Sequence, residues 1–310
     1  YAHRGSELQV MPAFDRKLAD TKCVGCGQCA AVCTTGAITV KNQIGQAWQA
    51  LHDPKNRVVV QIAPAVRVAL GEEFGLPAGE NVMDRLVKAL KLMGVEEVYD
   101  TDFAADMTTI SESQEFLERL KAGGPFPTFT SCCPAWSMMA KTLFPQFKDN
   151  ISMALTPMVI TARMVKKDHP NARIVFIGPC AAKKLEANRK SVRSDVDFVL
   201  TFEELLGMFD AKEIDFKTLE ADPADGMDEG SGFGRGFAVG GGVAAAVVEA
   251  IKHIDPDREI LIEYGDGLKE CRKMLAMAKA GKRNGYLLEG MGCPGGCVAG
   301  AGTLRPVKES

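Results

Sequence analysis

Hydrophobic residues occur in this chain as short runs rich in β-branched side chains, and these runs alternate with segments of helical periodicity. Short apolar runs bounded by polar turns are typical of buried strands, whereas apolar residues three and four apart are typical of helices packed on a sheet. The predicted strands are 58–62, 95–99, 126–129, 173–177, 198–201, 260–262 and 286–288, and the predicted helices are 65–74, 107–121, 203–209, 243–253 and 268–280, with others starting at Pro134 and near Ala181. The alternation predicts an α/β fold with mainly parallel sheets flanked by helices.

Two domains are predicted. Residues 1–50 carry the first cysteine group, and residues 36–40 predict a short strand after it, as in a partial ferredoxin-like α+β segment. The polar segment 52–57 reads as a linker to a larger domain over residues 57–310. In three places of the larger domain a cysteine stands where a predicted strand gives way to a loop or helix. Parallel strands usually hold ligands at their carboxyl ends, so we expect a site at that edge.

The charge and hydropathy of the chain exclude two classes of partner. Lys and Arg total 37 and Asp and Glu total 40, with the signs mixed along the chain, so we expect no nucleic-acid partner. The longest apolar stretch, 243–251, contains Glu249 and is far shorter than the roughly 20 residues of a membrane-spanning helix, so we expect no membrane segment. The chain opens without a secretory signal pattern and begins with Tyr1, as a processed or trimmed fragment does.

Ten cysteines are present, and nine of them stand in tight groups flanked by glycine or proline. This is the spacing of metal ligands rather than of disulfides. Exposed iron–sulfur clusters oxidise readily, so we expect a reducing, anoxic compartment and take the cytoplasm as the simplest choice. Cys271 lies outside every group and is expected to be a buried structural thiol.

The first cysteine group, CVGCGQCAAVC at 23–33, has the two-two-three spacing of half a bacterial ferredoxin. Small residues between the ligands let the backbone curl around a 4Fe–4S cube. In two-cluster ferredoxins the first three cysteines of such a run, here Cys23, Cys26 and Cys29, bind one cluster, and the fourth, here Cys33, binds the other. No second run of this kind exists, so we expect the remaining ligands from a missing N-terminal segment.

Three later segments each contain cysteine: FTSCCPAW at 129–136, IGPCAAKKLE at 177–186 and EGMGCPGGC at 289–297. Together, and in this order, they resemble the signature segments of iron-only (FeFe) hydrogenases, and the resemblance covers essentially the whole chain. It implies the two-lobed catalytic domain of that family over residues 57–310. It also implies that Cys133, Cys180, Cys293 and Cys297 hold a 4Fe–4S cube, with the Cys297 sulfur bridging to a diiron unit that carries carbon monoxide, cyanide and an azadithiolate.

The resemblance also assigns a proton path. Cys132 is the thiol that exchanges protons with the cofactor, and the path continues through Glu112 and Ser152 to Glu115 and Arg119 at the surface. Spacing alone leaves this open, because residues 112, 115 and 119 share one helix face that could equally be a solvated charge face. A packing role for Cys132 is the corresponding alternative.

Further residues are implied to contact the cofactor: Lys183, Met291, Pro179, Phe237, Ala65 and Gly178. Taken alone, Lys183 and Glu186 could be an ordinary surface pair. The glycine-dense segment 230–242 is either a flexible surface loop or a close approach of backbone to the cofactor. Four positions depart from the common family pattern and indicate a variant branch, with Gly178 for Met, Ala65 for Ser, Met158 for Gln and Pro294 for His.

The predicted function is reversible hydrogen formation, with ferredoxin or a similar low-potential carrier as electron partner and hydrogenase maturation proteins as assembly partners. Two alternatives remain. One is a hydrogen sensor with the same cofactor, and the other is a hydrogenase-like protein of iron–sulfur assembly that lacks the diiron unit. Retention of Cys132, Glu112 and Glu115 favours the enzyme.

Overall fold

Two parallel sheets organise the chain in a computed structural model that describes residues 3–190, 192–221, 227 and 229–303. The described strands are β1 Val58–Ile62, β2 Glu97–Asp100, β3 Thr128–Phe129, β4 Arg173–Ile177, β5 Phe198–Leu200, β6 Ile262–Asp266 and β7 Leu287–Met291. One sheet has the order β2-β1-β4-β5 and the other β3-β7-β6, and each pairing within them is parallel. The predicted α/β class with parallel sheets is confirmed.

Helices cover the sheets and divide the core into two lobes. They are α1 Gln28–Ala31, α2 Ile44–His52, α3 Val66–Glu73, α4 Met83–Leu92, α5 Thr101–Ala122, α6 Pro134–Leu143, α7 Pro157–Asp168, α8 Ala181–Ala187, α9 Phe202–Ala211, α10 Gly232–Gly236, α11 Gly242–Ile254 and α12 Leu268–Lys279. In the larger lobe α3, α4, α7 and α9 pack on the four-stranded sheet, and in the smaller lobe α6, α11 and α12 pack on the three-stranded sheet.

The central strand β1 shows why the larger sheet forms. All five of its residues are buried, as expected for a parallel strand with helices on both faces. Gln61 is its one polar residue, and its side-chain amide donates to the Met158 carbonyl of α7 at 3.1 Å. The bond ties the sheet to the helix that carries Met158.

Helix α5 lies between the lobes and packs against α7 on one side and α11 on the other. The Asp100 carboxylate caps its start by accepting from the Asp102 backbone N–H at 2.9 Å, and Gly123, at φ +78°, ends it in the left-handed region. With 22 residues, α5 reaches from the cavity described below to the far side of the molecule.

The strand predicted at 36–40 is wrong, because these residues join neither sheet. A strand needs a hydrogen-bonding neighbour, and the described residues around this half ferredoxin supply none. Helix α2, in contrast, buries Ala47 and Ala50 in the core of the larger lobe. It thereby crosses the limit predicted for the first domain at residue 50.

The other predicted elements lie within a few residues of the observed ones, except that α5 begins at Thr101 rather than at 107. Helices α1, α2, α4, α7 and α10 were not predicted. The prediction at 260–262 corresponds to β6, whose length was underestimated because Tyr264, Gly265 and Asp266 do not read as a strand. Among the described residues, no helix combines the length and the apolarity needed to cross a bilayer.

Candidate functional site

The carboxyl ends of strands from both sheets face a common cavity. Residues 63–65 follow β1, Thr101 follows β2, Pro179 and Cys180 follow β4, and Cys132 and Cys133 lie just beyond β3. The cavity holds about 630 Å³ of space between protein atoms, part of it open to solvent, and its lining is almost entirely apolar. Among its lining residues are Ala65, Cys132, Cys133, Pro179, Cys180, Lys183, Phe237, Met291 and Cys297.

Four cysteines meet beside this cavity, each at the start of a helix or in a tight loop. Cys133 and Cys180 are the N-cap residues of α6 and α8, Cys297 begins a short 3-10 helix after β7, and Cys293 lies in the loop between. The Gly292 backbone N–H donates to Cys133 Sγ at 3.3 Å. Backbone donors of this kind favour a thiolate over a thiol.

The burial of these thiols indicates what they could hold. Burial, reinforced by the Cys293 and Cys133 thiols, raises the pKa of Cys180 to about 12. Burial likewise raises the pKa of Cys293 to about 11 and that of Cys297 well above its usual value, with the neighbouring cysteine thiols adding to both. Buried, mutually repelling thiolates are costly unless metal ions neutralise them, so the donor set fits an iron–sulfur cluster.

The same sulfurs do not form a site for one metal ion. Within the described part of the chain, no three His, Cys, Asp or Glu side chains are close enough together to bind a single ion. A 4Fe–4S cube takes one thiolate on each iron and so needs its ligands spread apart.

Cys132 borders the cavity, and burial together with the nearby Glu112 raises its pKa well above the usual value. The thiol therefore keeps its proton at neutral pH. The Lys183 ammonium donates to the Cys132 carbonyl at 3.3 Å and to Glu186 Oε2 at 2.7 Å, and Thr156 Oγ1 donates to Glu186 Oε1 at 2.5 Å. The pair of Lys183 and Glu186 thus exists, but it is buried rather than on the surface.

Lys183 remains charged in the cavity wall. Burial acts against the ammonium, but Glu186 more than compensates and raises the pKa of Lys183 above its ordinary value. The cavity therefore presents one fixed cation in an otherwise apolar lining. An anionic ligand is the group such a wall would accept.

The predicted proton path is hydrogen-bonded at its outer end, and its inner residues Cys132 and Glu112 lie near each other. Glu112 is buried on α5, and its Oε1 accepts from the Ser131 backbone N–H at 2.8 Å and from Ser131 Oγ at 3.0 Å. Burial raises the pKa of Glu112 to about 7 in spite of these hydrogen bonds. Among the residues that the structure describes, none forms a hydrogen bond with its Oε2. A carboxyl group of this kind exchanges protons readily near neutral pH.

Beyond Glu112 the path leads to the surface. The Ser152 hydroxyl donates to Glu115 Oε2 at 2.8 Å, and it also lies close enough to Glu112 to affect that pKa. Arg119 Nη2 donates to Glu115 Oε1 at 2.5 Å, and the Met153 backbone N–H donates to Glu115 Oε2 at 2.9 Å. Met153 is 83% exposed, so the path ends at solvent. Glu112 and Arg119 are buried, which excludes the alternative of a solvated charge face.

In the first cysteine group, three thiols lie close to one another and Cys33 does not interact with them in the same way. Burial raises the pKa of Cys26, and the thiols of Cys29 and Cys23 contribute to the same shift, so these three sulfurs are neighbours. Cys33 stands apart and accepts from the Ile38 backbone N–H at 3.4 Å. A hydrogen bond with Thr35 lowers the pKa of Cys33 to about 7, and no other cysteine contributes to that shift. The assignment of Cys23, Cys26 and Cys29 to one cluster and of Cys33 to another stays a prediction.

The glycine-dense segment 230–242 forms the short helix α10 followed by turns that lead into α11. Ser231 caps α10 by accepting from the Phe233 and Gly234 backbone N–H groups, each at 3.1 Å, and the segment then continues into α11. The segment packs against Gly296 of the cysteine loop, where a Cβ would lie 2.7 Å from the Val239 Cα. That packing places Phe237 and Ala238 in the cavity wall. The expected close approach of the segment's backbone to a cofactor stays a prediction.

Sequence reasoning missed Glu289, which anchors this segment. Its buried carboxylate accepts from the Gly241 backbone N–H at 3.1 Å and from that of Ala244 at 2.7 Å, at the start of α11. Burial raises the pKa of Glu289 to about 7. A charged residue inside the otherwise apolar strand β7 was the signal that could have identified it.

The variant positions occupy distinct places. Ala65 and Met158 line the cavity, whereas Gly178 lies beside it and Pro294 packs near Gly267. A Cβ on Gly178 would lie 2.9 Å from Phe176 Cε1, so the Phe176 ring takes the space of a side chain at 178. Phe176, Thr101 and Ser131 are further residues that the sequence did not single out. Cys271 is fully buried, and its Sγ donates to the Gly265 and Met291 carbonyls, each at 3.3 Å.

Two family profiles match the chain. The iron only hydrogenase large subunit, C-terminal domain, matches residues 56–301, and a 4Fe-4S binding domain matches residues 20–39. Together they cover both predicted parts of the chain. The resemblance inferred from the cysteine segments is confirmed.

Related proteins extend the match. The chain is 36% identical to the NADP-reducing hydrogenase subunit HndD of Solidesulfovibrio fructosivorans, covering 97% of this chain and 59% of that one. It is 33% identical to iron hydrogenase 1 of Clostridium pasteurianum, covering 86% and 53%. This chain thus spans little more than half the length of either hydrogenase. A more distant relative, 26% identical over 80% of this chain and 72% of its own length, is the cytosolic Fe-S cluster assembly factor narfl of Danio rerio.

Solved structures show the same fold. A variant of the apo [FeFe]-hydrogenase HydA1 from Chlamydomonas reinhardtii superposes with a TM-score of 0.69 at 27% identity, covering 85% of each chain. The two-lobed arrangement of parallel sheets is therefore shared with that protein.

Proposed function

This chain belongs to the iron-only hydrogenase family, and on that premise we propose that it converts two protons and two electrons reversibly into dihydrogen. One observation carries the proposal. Four half-buried cysteines adjoin one apolar cavity, and side chains that can exchange protons lie between that cavity and solvent. Electrons and protons could thus reach the same place by different routes.

Cys133, Cys180, Cys293 and Cys297 would hold a 4Fe–4S cube, and Cys297 would also bind the diiron unit. When bound, the cube and the diiron unit with its carbon monoxide, cyanide and azadithiolate ligands supply the electrons and the metal site for making or splitting hydrogen. The apolar wall formed by Ala65, Met291 and Phe237 excludes water from that space. Lys183 donates from the wall to an anionic ligand, and Glu186 holds Lys183 in position.

The side chains move protons in defined steps. The protonated Cys132 thiol is the group at the cavity that gives a proton or takes one back. Glu112 exchanges that proton, because burial brings its pKa to about 7 and no described residue forms a hydrogen bond with its Oε2. The Ser152 hydroxyl passes a proton between Glu112 and Glu115, and Arg119 stabilises the ionised form of Glu115.

Electrons would enter through the ferredoxin-type segment. Its cysteines suit a low-potential one-electron carrier, for which ferredoxin or a similar protein is the proposed partner. A cofactor of this complexity requires maturation proteins to install it. Unprotected thiolates and clusters require a reducing compartment, and we propose the cytoplasm.

Two other functions remain distinguishable from this proposal. An assembly protein such as the narfl relative is named for would need cluster cysteines but neither this cavity nor a proton path to solvent. A hydrogen sensor would use the same cavity and would bind hydrogen with little turnover. The nearness of Cys132 to Glu112, and the hydrogen bonds that join Ser152 and Arg119 to Glu115, support an enzyme that turns over.

The test is anaerobic reconstitution of the clusters, loading with a synthetic diiron azadithiolate complex, infrared spectroscopy and a hydrogen assay. We expect carbonyl and cyanide bands together with hydrogen production from a chemical reductant. Cys297→Ser should lose the bands, whereas Cys271→Ser, at the unassigned buried cysteine, should keep them. Absence of bands in the unaltered protein would favour the assembly role, and bands without turnover would favour the sensor.

A further inference from the structure

The Gln28 side chain joins the first cysteine group, 23–33, to the four cysteines beside the cavity. Gln28 lies between Cys26 and Cys29 of the first group, and its side-chain amide Nε2 donates to Cys293 Sγ at 3.2 Å. The two residues are 265 positions apart in sequence. Gln28 is half-buried, so this hydrogen bond is partly protected from water.

Close packing fixes the position of Gln28. The preceding residue, Gly27, has φ +79°, and a Cβ there would lie 2.6 Å from Ala181 Cβ and 2.9 Å from Ala301 Cβ. Val24 of the same loop is buried in the core of the smaller lobe, in contact with the residues around Cys133 and Cys180. The first cysteine loop is therefore seated on the second site and brings the Gln28 amide to the Cys293 sulfur with little freedom to move.

We infer that Gln28 is a positioning residue through which the ferredoxin-type segment raises the reduction potential of the cube held by Cys133, Cys180, Cys293 and Cys297. The inference rests on the proposed function, because it assumes that cube. Reduction adds one electron from a low-potential donor to the cube and transfers no proton. The added charge is shared by the cysteine sulfurs, and an N–H donor at one of them stabilises the reduced form more than the oxidised form.

The size of the effect follows from the hydrogen bond. The hydrogen bond stabilises both oxidation states of the cube, and only the difference between its two contributions changes the reduction potential. We therefore expect loss of the donor to lower the ratio of reduced to oxidised cube about tenfold at a fixed applied potential. For a one-electron couple a tenfold change corresponds to about 59 mV.

The experiment uses the full chain with its clusters reconstituted but without the diiron unit, and follows the cube by electron paramagnetic resonance during a redox titration. Gln28→Met keeps the side-chain length and removes the donor, and Gln28→Glu keeps the length and adds a negative charge. We expect the tenfold fall in Gln28→Met and a larger fall in Gln28→Glu. Gln46→Met, at an exposed glutamine of α2, is the control and should leave the ratio unchanged.

A second set of variants separates the effect of the first cluster from that of the Gln28 hydrogen bond. The fall in Gln28→Met should persist when Cys29→Ser is also present, because the hydrogen bond acts on Cys293 and not through the first cluster. Changes of less than twofold in both Gln28 variants, or a fall that disappears in the Cys29→Ser background, would overturn the inference. Failure of the unaltered chain to assemble the cube at all would instead overturn the proposed function.

Discussion

Glu112 is buried, and its Oε2 lacks a hydrogen bond to any described residue. Its ionisation therefore has a measurable effect on the stability of the protein. The pKa of Glu112 rises from 4.5 to about 7 on folding, so the folded protein binds this proton more tightly than the unfolded chain does. The stabilising effect of that proton is complete below pH 4.5, and it is lost as the pH rises through about 7. Above this range the ionised, buried carboxylate costs about 3 kcal/mol.

Glu112→Gln should therefore stabilise the cofactor-free protein at pH 8 relative to the unaltered chain, by about 3 kcal/mol more than at pH 4. The measurement is the free energy of unfolding in urea at both pH values. Asp102, whose pKa burial also raises to about 7, is present in both proteins and cancels in the difference. Glu289 cancels only in part, because the Glu112 charge contributes to raising the pKa of Glu289. Glu118→Gln, on the exposed face of the same helix, is the control. An equal difference at both pH values would contradict the shift.

Cys132 is the second residue with a decisive test. Cys132→Ala removes the proton donor at the cavity but none of the four proposed cluster ligands. In protein loaded with the diiron complex, we expect retained infrared bands and a loss of turnover of about 100-fold or more, as for removal of a general acid or base. Turnover within twofold of the unaltered protein would exclude this thiol from the path.

The Phe176 ring fills the space beside the cavity that a side chain at position 178 would need. A methionine at 178 would place its Cβ 2.9 Å from both Ala63 Cβ and Phe176 Cε1, so Gly178→Met should destabilise the protein by about 1–3 kcal/mol. Adding Phe176→Ala frees the space. We expect the double variant to be more stable than the sum of the two single effects by about 1 kcal/mol or more in urea unfolding. Simple additivity would show that the two positions do not share the space.

At the scale of elements, Glu289 links β7 to α11. In Glu289→Ala the backbone N–H groups of Gly241 and Ala244 lose their acceptor, at a cost of about 1–3 kcal/mol for each buried group. We expect faster hydrogen exchange over residues 236–244, with Glu289→Gln intermediate because an amide offers one acceptor oxygen. Exposed Glu259→Ala is the control. Unchanged protection in Glu289→Ala would show that the segment is held by other contacts.

Patterning predicted the buried elements better than the exposed ones. Strands β1 and β4 were predicted at their observed bounds because both have buried faces on each side and read as continuous apolar runs. Edge strand β6 was misplaced, since its exposed face carries polar residues. The strand at 36–40 failed because its β-branched composition indicates a tendency to pair but supplies no neighbour.

At the scale of the whole molecule, cysteines far apart in the sequence lie at one cavity, and local sequence patterns do not predict this arrangement. Spacing within the first group predicts a division into three sulfurs and one. In contrast, the meeting of residues 133, 180 and 297 at one cavity depends on the register of both sheets and on helix α5 between them. Family resemblance supplied that expectation. Neither resemblance nor pattern indicated the Gln28 hydrogen bond, which depends on how the ferredoxin-type loop is seated.

The most direct test of the account is a crystal structure of the anaerobically reconstituted chain, with iron located by its anomalous scattering. We predict one compact group of four iron atoms bonded to the sulfurs of Cys133, Cys180, Cys293 and Cys297, with Cys297 at the cavity. Absence of iron at these four sulfurs, or these sulfurs divided between separate metal ions, would contradict it.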